Sequence, residues 1–278
     1  MKITRVAIFY RNENTSAKKW EAKILNWLKR NYPEILVDNK NPQALLVLGG
    51  DGTIIEAVKK YATINPVIIG LNLGHVGFLA STRKEANFLI ALQKLIKGDF
   101  LISKRMLIKA TVERDCKKIF STNALNEVTA QNMLGMVELE VMIDNHSFQY
   151  VRGSGLMVST ATGATGFNLS AHGPVVMPDI KCMIVTELLD HNTPTPSLVV
   201  KRNKKIQIKI LNFRKQGLLA LSATKEPVDV LLVADGVTLF PLQKGDVITV
   251  ERSNHLVKCV EFEQNYFLKS LKEKFGYR

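Results

Sequence analysis

The first hundred residues alternate between two hydrophobic periods. Arg5 to Tyr10 is a short apolar run with branched side chains, the pattern of a buried strand. Ser16 to Arg30 spaces Trp20, Ile24 and Trp27 three and four residues apart, as one face of a helix requires. Ala44–Leu48 predicts a second strand, Thr53–Tyr61 a helix, Pro66–Ile69 a third strand, and Arg83–Lys97 an amphipathic helix stopped by Gly98. This alternation predicts a parallel sheet flanked by helices, in which ligands bind beyond the carboxyl ends of the strands. After residue 102 the texture changes to short alternating stretches separated by turn residues such as Asp144-Asn145 and Lys244-Gly245-Asp246. The expected strands are Leu107–Val112, Val137–Ile143, Phe148–Arg152, Leu156–Ser159, Ser197–Val200, Lys205–Ile210, Val228–Ala234, Asp246–Val250 and Leu256–Phe262. The pattern therefore predicts an α/β domain over residues 1–102 and a β-rich domain over 103–262. A terminal helix within 263–278 is expected to pack back on the first domain.

Composition narrows the class. Apolar residues make up 46% of the 278, enough to bury a core, and recur along the whole length. No apolar run approaches the roughly 18 residues of a membrane helix, and Met1 to Ile8 already reads as a strand with no signal-peptide core. A cytoplasmic protein without membrane attachment is expected. Cys116, Cys182 and Cys259 are widely spaced and form no CxxC pair, so neither a disulfide framework nor a zinc site is expected. The net charge of +13 suits a phosphate-bearing ligand. The basic cluster Lys201–Lys205 reads as a solvated turn, and no aromatic-rich motif accompanies it, so nucleic acid is not expected as a partner.

Three segments carry chemistry. Gly49-Gly50-Asp51-Gly52-Thr53 joins a predicted strand to a predicted helix, where glycine amides and a helix N-terminus cradle phosphate. It is neither a Walker loop nor a GxGxxG motif. A carboxylate among phosphate-binding amides suits a base for an attacking hydroxyl; the residues alone also allow a tight turn with Asp51 as helix cap. Asn126-Glu127 interrupts an apolar stretch. Asn both donates and accepts and Glu accepts from two hydroxyls, which suits an adenine edge and a ribose diol, or else merely a polar strand end. Arg152 to Pro174 reads as a strand, a Ser/Thr/Gly loop and a short helix, whose small hydroxyl side chains can bond a base or phosphate; the alternative is a small-residue helix at a crowded interface.

Together these segments resemble, in order and spacing, the NAD kinase family: its GGDGT loop, its Asn-Glu pair and its GDGLxVSTPTGSTAYxLSxGGP segment. Asn72–Leu79 is similar to the family's NxGxLGFL, Asp235-Gly236 matches near the end, and His191 falls where the family has a histidine. The resemblance spans nearly the whole chain. It implies an α/β N-terminal domain with a parallel sheet plus an all-β, antiparallel, sandwich-like C-terminal domain, the architecture shared with diacylglycerol kinases, with the active site between them. A homodimer or homotetramer is implied. The implied reaction moves a phosphoryl group from ATP, another nucleoside triphosphate or polyphosphate to the 2′-hydroxyl of the adenosine ribose of NAD. Asp51 would be the base; Gly50, Gly52 and Thr53 would meet the diphosphates; Asn126 and Glu127 would hold adenosine; Thr162, Thr165 and Ser170 would line the pocket. Arg152, Ser154, Gly166, Phe167, Asn168 and Leu189 are the remaining binding candidates. Mg²⁺ would arrive with the donor phosphates, since no carboxylate cluster resembles a dedicated metal site.

The chain leaves the family pattern in one region. Ser154 replaces an aspartate, Ala161 a proline, Phe167 a tyrosine, His172 a glycine, Pro196 an arginine and Val237 a glutamine. By resemblance these positions serve the nicotinamide half and the subunit contacts. Losing one charge-assisted hydrogen bond there costs about 1.5–3 kcal/mol. The pattern fits a tolerant kinase, a shifted substrate, or a homologue retained for binding NAD or another nucleotide. Lipid kinases of the diacylglycerol type also carry a GGDGT loop, but their other motifs are absent.

Overall fold

A computed structural model describes residues 2–74, 77–191, 195–220 and 227–276. In chain order the elements are β1 (Arg5–Phe9), α1 (Thr15–Asn31), β2 (Leu36–Val37), β3 (Ala44–Leu48), α2 (Asp51–Lys60), β4 (Val67–Leu71) and α3 (Phe88–Lys97). There follow β5 (Leu101–Arg114), β6 (Lys117–Ala124), β7 (Glu127–Asn132), β8 (Val137–Ile143), β9 (His146–Thr160) and α4 (Phe167–Ser170). The chain continues with β10 (Cys182–Asp190), β11 (Leu198–Lys201), β12 (Ile206–Phe213), β13 (Val230–Ala234), β14 (Thr238–Leu242), β15 (Val247–Glu261) and α5 (Tyr266–Phe275). Two compact units result, Met1–Arg105 with Leu256–Arg278, and Met106–His255.

The first unit is an α/β layer structure. Strands β2-β1-β3-β4 are parallel in that order, with the end of β15 parallel beside β4 through Lys258↔Val67 and Cys259↔Ile68. Alternate residues Leu46, Leu48, Ile69 and Leu71 form one core with Trp20, Ile24 and Leu28 of α1 and Phe88, Leu92 and Leu95 of α3. On the other face Ile54 of α2 lies so close to Gly70 of β4 that a β-carbon there would overlap it. Helices on both faces explain why β3 and β4 are buried at every position and read as continuous apolar runs. Gly98, at φ +80°, caps α3 in the left-handed conformation that glycine adopts without strain.

The second unit is antiparallel. β14-β13-β7-β9-β8-β12-β15 are neighbours in that order, β10 pairs with β9 and β11, and β5 pairs with β6. Val128, Ala130, Leu156, Val158, Met183, Val185, Val230 and Leu232 fill one core from the inner faces of these strands.

The α/β plus antiparallel-β class expected from sequence is what the chain forms, and several elements differ in detail. Residues 83–87 are not α-helical: a 3-10 turn at Glu85–Asn87 precedes α3. α5 begins at Tyr266 rather than at 263. β9 and β15 are each one strand where two short ones were expected. The C-terminal stretch of β15 pairs with β4, which puts residues 256–262 with the first unit instead of the second. β6, β7, β10 and β14 were not anticipated. β10 is buried from Cys182 through Thr186, so no alternation marks it. β14 contains Pro241, which an edge strand tolerates. His75 and Val76 of the Asn72–Leu79 segment lie outside the described residues.

Candidate functional site

The first group of residues sits at the carboxyl edge of the parallel sheet. β3 ends at Leu48, Gly49 and Gly50 turn the chain, and α2 begins at Asp51 with Gly50 as its N-cap. Gly49 has φ +156° and its amide bonds the Leu71 carbonyl at 3.0 Å, tying the loop to the end of β4. A β-carbon on Gly50 would meet nothing within 4 Å, so its backbone faces open space. A β-carbon on Gly52 would lie 3.3 Å from the Arg11 guanidinium, and Arg11 is itself paired with Glu56 through Nε at 3.0 and 3.1 Å. Thr53 is buried against Gly49. The loop thus offers amides and a helix N-terminus, as a phosphate cradle requires.

The Asp51 side chain does not cap its own helix. A capping carboxylate accepts from amides two or three residues ahead. Asp51 instead accepts from the Phe78 amide through Oδ2 at 2.8 Å and from the Leu79 amide through Oδ1 at 3.1 Å. The carboxylate lies so tightly against Gly77 that a β-carbon there would overlap it. A carboxylate has about four lone-pair sites, so two N–H donors leave acceptor capacity on both oxygens. Beyond the end of β1, Tyr10, Arg11, Asn12, Glu13, Glu21, Glu56 and Lys60 line a cavity of about 570 Å³.

The second group belongs to the antiparallel unit. Leu125-Asn126 forms a bend between β6 and β7 and Glu127 is the first residue of β7, a correction to the continuous stretch expected. The bend is held from two sides. The Asp235 carboxylate accepts from the amides of Leu125 (2.7 Å), Asn126 (2.7 Å) and Glu127 (3.2 Å). The Asn126 carbonyl accepts from the Thr160 amide at 2.8 Å and from the Ser159 hydroxyl at 3.1 Å, and the Thr160 hydroxyl donates to the Leu125 carbonyl at 2.6 Å. Glu127 is only 8% exposed, and among the described residues its Oε2 has no hydrogen-bond partner. Burial, with a smaller contribution from the neighbouring Asp235 charge, pushes its carboxyl up to about 8. A buried polar atom left unpaired is costly, and a ligand that supplies the missing partner recovers that cost.

The loop after β9 closes over this pair. Gly163 packs directly on the Asn126 carbonyl and the Ser159 hydroxyl, leaving no room for a β-carbon. A β-carbon on Gly166 would lie 3.4 Å from Asn126 Nδ2 and 3.5 Å from Glu127 Oε2. Asn126, Glu127, Ser159, Gly163 and Gly166 are therefore gathered at one point. Thr162 is buried, and its carbonyl lies 3.5 Å from the Thr165 hydroxyl. Phe167 exposes its ring. Asn168 is wholly buried between Thr186 (2.8 Å) and the Pro174 carbonyl (3.2 Å), so its side chain holds the loop to β10. Ser170 is exposed at the end of α4.

Arg152, Ser154 and Leu189 are not brought to that point. Glu127 pairs with Ser159 on β9, and Ser154 lies five residues back along the same strand, roughly 16 Å at the strand rise. Arg152 is exposed beside Glu138 at 3.5 Å. Leu189 is 78% exposed, at φ +51°, with its carbonyl against Gly153. Sequence reading gave no role to Phe78 and Leu79, whose amides hold Asp51, or to the Asp235 carboxylate as the clamp of the bend. Asp-Gly beside a strand was the available signal for Asp235; nothing local marks an amide donor. Among the described residues no three His, Cys, Asp or Glu side chains gather as a metal site, and no helix is long and apolar enough to cross a membrane.

Both groups fall within spans that match known proteins. The ATP-NAD kinase N-terminal domain matches residues 39–100 and the ATP-NAD kinase C-terminal domain residues 125–262. A protein of Natranaerobius thermophilus named NAD kinase is 34% identical over 84% of this chain and 77% of its own length. The NAD kinase of Caldicellulosiruptor saccharolyticus is 31% identical over 97% of this chain and 98% of its own. Among solved structures, yeast NADH kinase complexed with NADH superposes with a TM-score of 0.87 at 22% identity, covering all of this chain and 88% of that one. An NAD kinase from Archaeoglobus fulgidus in complex with ATP gives a TM-score of 0.71 at 24% identity, covering 98% and 97%. At these identities the two structures speak for the fold.

Proposed function

The chain belongs to the NAD kinase family, and on that premise we propose that it phosphorylates the 2′-hydroxyl of the adenosine ribose of NAD, with Asp51 as general base. The observation that carries this reading is the setting of Asp51. Its carboxylate stands at the head of α2 among glycine amides, held from behind by two backbone N–H groups and not used as a cap. The ribose hydroxyl gives its proton to Asp51 as its oxygen bonds to the terminal phosphorus of the donor. The bond from that phosphorus to the bridging oxygen breaks, and the nucleoside diphosphate leaves with that oxygen. Gly50 and Gly52 present amides to the phosphates, and Thr53, whose own amide donates to the Gly50 carbonyl at 3.0 Å, meets them from the first turn of α2. Asn126 reads the adenine edge, and the unpaired Oε2 of Glu127 meets a ribose hydroxyl. The donor is ATP or another nucleoside triphosphate, and the cavity beyond β1 has the size and polar lining for a nucleoside. Mg²⁺ would supply charge neutralisation on the donor's own phosphates. Among the described residues no carboxylates gather to hold it, so the donor phosphates would carry it. Phe148, Tyr150 and Leu189 expose apolar area on the second unit, which suits a homo-oligomer, tested by light scattering.

The test is conversion of NAD to NADP by purified protein with ATP and Mg²⁺. Asp51→Asn should lower turnover at least a hundredfold and keep NAD affinity within a few fold. Surviving activity in that variant would reject Asp51 as the base. NAD binding by the wild type without any NADP would favour the binding-protein reading instead.

A further inference from the structure

The segment that grips Asp51 is itself gripped by the C-terminal helix. Phe78, whose amide donates to Asp51 Oδ2, is buried and packs its ring on Phe267 of α5 at 5.6 Å and on Phe275 of α5 at 6.0 Å, nearly parallel to the latter. Lys274 places its ammonium 4.8 Å from the centre of the Phe78 ring. Five residues on, Arg83 ties the same segment to α5. Its Nε donates to the Tyr266 hydroxyl at 3.0 Å, and its other nitrogens reach Ser270 and Glu273. On the opposite side the segment is pinned to β4: the Ser81 and Thr82 amides bond the Gly70 carbonyl at 2.8 and 3.1 Å, and the Ser81 hydroxyl accepts from the Gly70 amide at 3.1 Å. Residues 77–83 are thus held between β4 and α5, and the two amides that fix Asp51 sit at the head of that strip.

We propose that α5 is a positioning element for the base: the Phe267 and Phe275 rings, acting through Phe78, set the angle at which the 78 and 79 amides present Asp51. This rests on Asp51 being the base. A carboxylate on a short side chain swings freely unless its oxygens are bonded, and a displacement of about 1 Å of a reacting group can cost on the order of a hundredfold in rate. The rings contribute no group to the chemistry. They remove the slack from a loop whose amides do the holding, which makes Phe78, Phe267 and Phe275 positioning residues.

The experiment uses Phe275, which is 42% exposed, with the circular dichroism and Tm of each variant checked against wild type. Phe275→Ala should speed hydrogen exchange at the 78 and 79 amides. It should also lower kcat about tenfold per NAD-binding site counted by calorimetry, with KM for NAD and ATP within about twofold. Phe275→Tyr, which keeps the ring and points its hydroxyl to water, should restore both. Phe267→Leu should repeat the pattern from the buried side. Unchanged exchange at 78 and 79 in Phe275→Ala overturns the proposal, as does faster exchange with unchanged kcat. An active Asp51→Asn variant would instead reject the base assignment, while the exchange result would still report whether α5 holds the loop.

Discussion

Replacing Glu127 by Gln should stabilise the free protein, and by more as the pH rises. Burial raises the Glu127 carboxyl from 4.5 in an open chain to about 8 in the fold. A group raised on folding contributes stability that is fully present below its unfolded value and lost as the pH climbs through its folded value. Between those limits the unfolded chain has released a proton that the folded chain keeps, so each pH unit costs folding about 1.4 kcal/mol. The loss is about 1 kcal/mol at pH 5.5 and about 4–5 kcal/mol at pH 8.5, where the folded group also begins to ionise. The glutamine of Glu127→Gln does not titrate, so the variant's stability lacks this slope, and any fixed cost of its amide is the same at every pH. The stability gap between variant and wild type should therefore widen by about 3 kcal/mol between those two conditions. At about 2–4 °C per kcal/mol that is about 6–12 °C in Tm. Calorimetric Tm values of both proteins, without ligand and at matched ionic strength, decide it. A gap independent of pH, or one that narrows, would refute the claim that Glu127 is buried without a partner.

Three further outcomes follow from named contacts. Asp246 is fully buried and takes both a bidentate Arg114 pair (2.7 and 2.9 Å) and the Gln243 amide (2.8 Å); Asp246→Ala should cost about 1–3 kcal/mol in denaturant unfolding by leaving the Gln243 amide and the part-exposed Arg114 without their acceptor. Gly163→Ala forces a β-carbon into the Asn126 carbonyl and the Ser159 hydroxyl, so NAD affinity by calorimetry should fall at least tenfold. Asp235→Asn exchanges a carboxylate that accepts three amides for a neutral group; at about 1.5–3 kcal/mol for a charge-assisted bond, KM for NAD should rise at least tenfold with a smaller change in kcat.

Much of the first unit was legible because its signals are local. Trp20 and Ile24 recur at helical spacing and pack in the core, where Leu28 joins them and Trp27, read on the same face, is only partly buried; Gly98 ends α3 as its position suggested. The glycine loop read as a strand-to-helix junction, and it is one. The second unit was less legible where burial on both faces erased alternation, as in β10, or where polar residues filled a buried strand, as with Glu127, Thr129 and Gln131 in β7. Glu127 could be named from sequence, but its missing partner could not, because that depends on which atoms the fold brings near. Arg152, Ser154 and Leu189 were named by analogy of position, and the strand register sets them a long way down β9 and β10 from Asn126.

The carboxylates of this chain sort themselves by what their oxygens touch. Asp235 gives its oxygens to three amides of one bend, and Asp246 to Arg114 and Gln243, so both are consumed by their own chain. Glu127 has an oxygen with no partner, buried beside the glycines of the loop after β9. Asp51 falls between these cases. Sequence allowed it to be a helix cap, but a cap would bond amides of α2, and these oxygens bond amides 27 and 28 residues away. Bonding from that distance requires an ordered loop, a glycine at 77 with no space for a side chain, and an aromatic brace from the last helix. A helix start needs none of that, since Ser, Thr or Asn at the cap gives the same stability locally. An arrangement that fixes one carboxylate from two separate parts of the chain, beside a glycine that faces open space, is the arrangement expected of a group whose direction matters more than its bond energy.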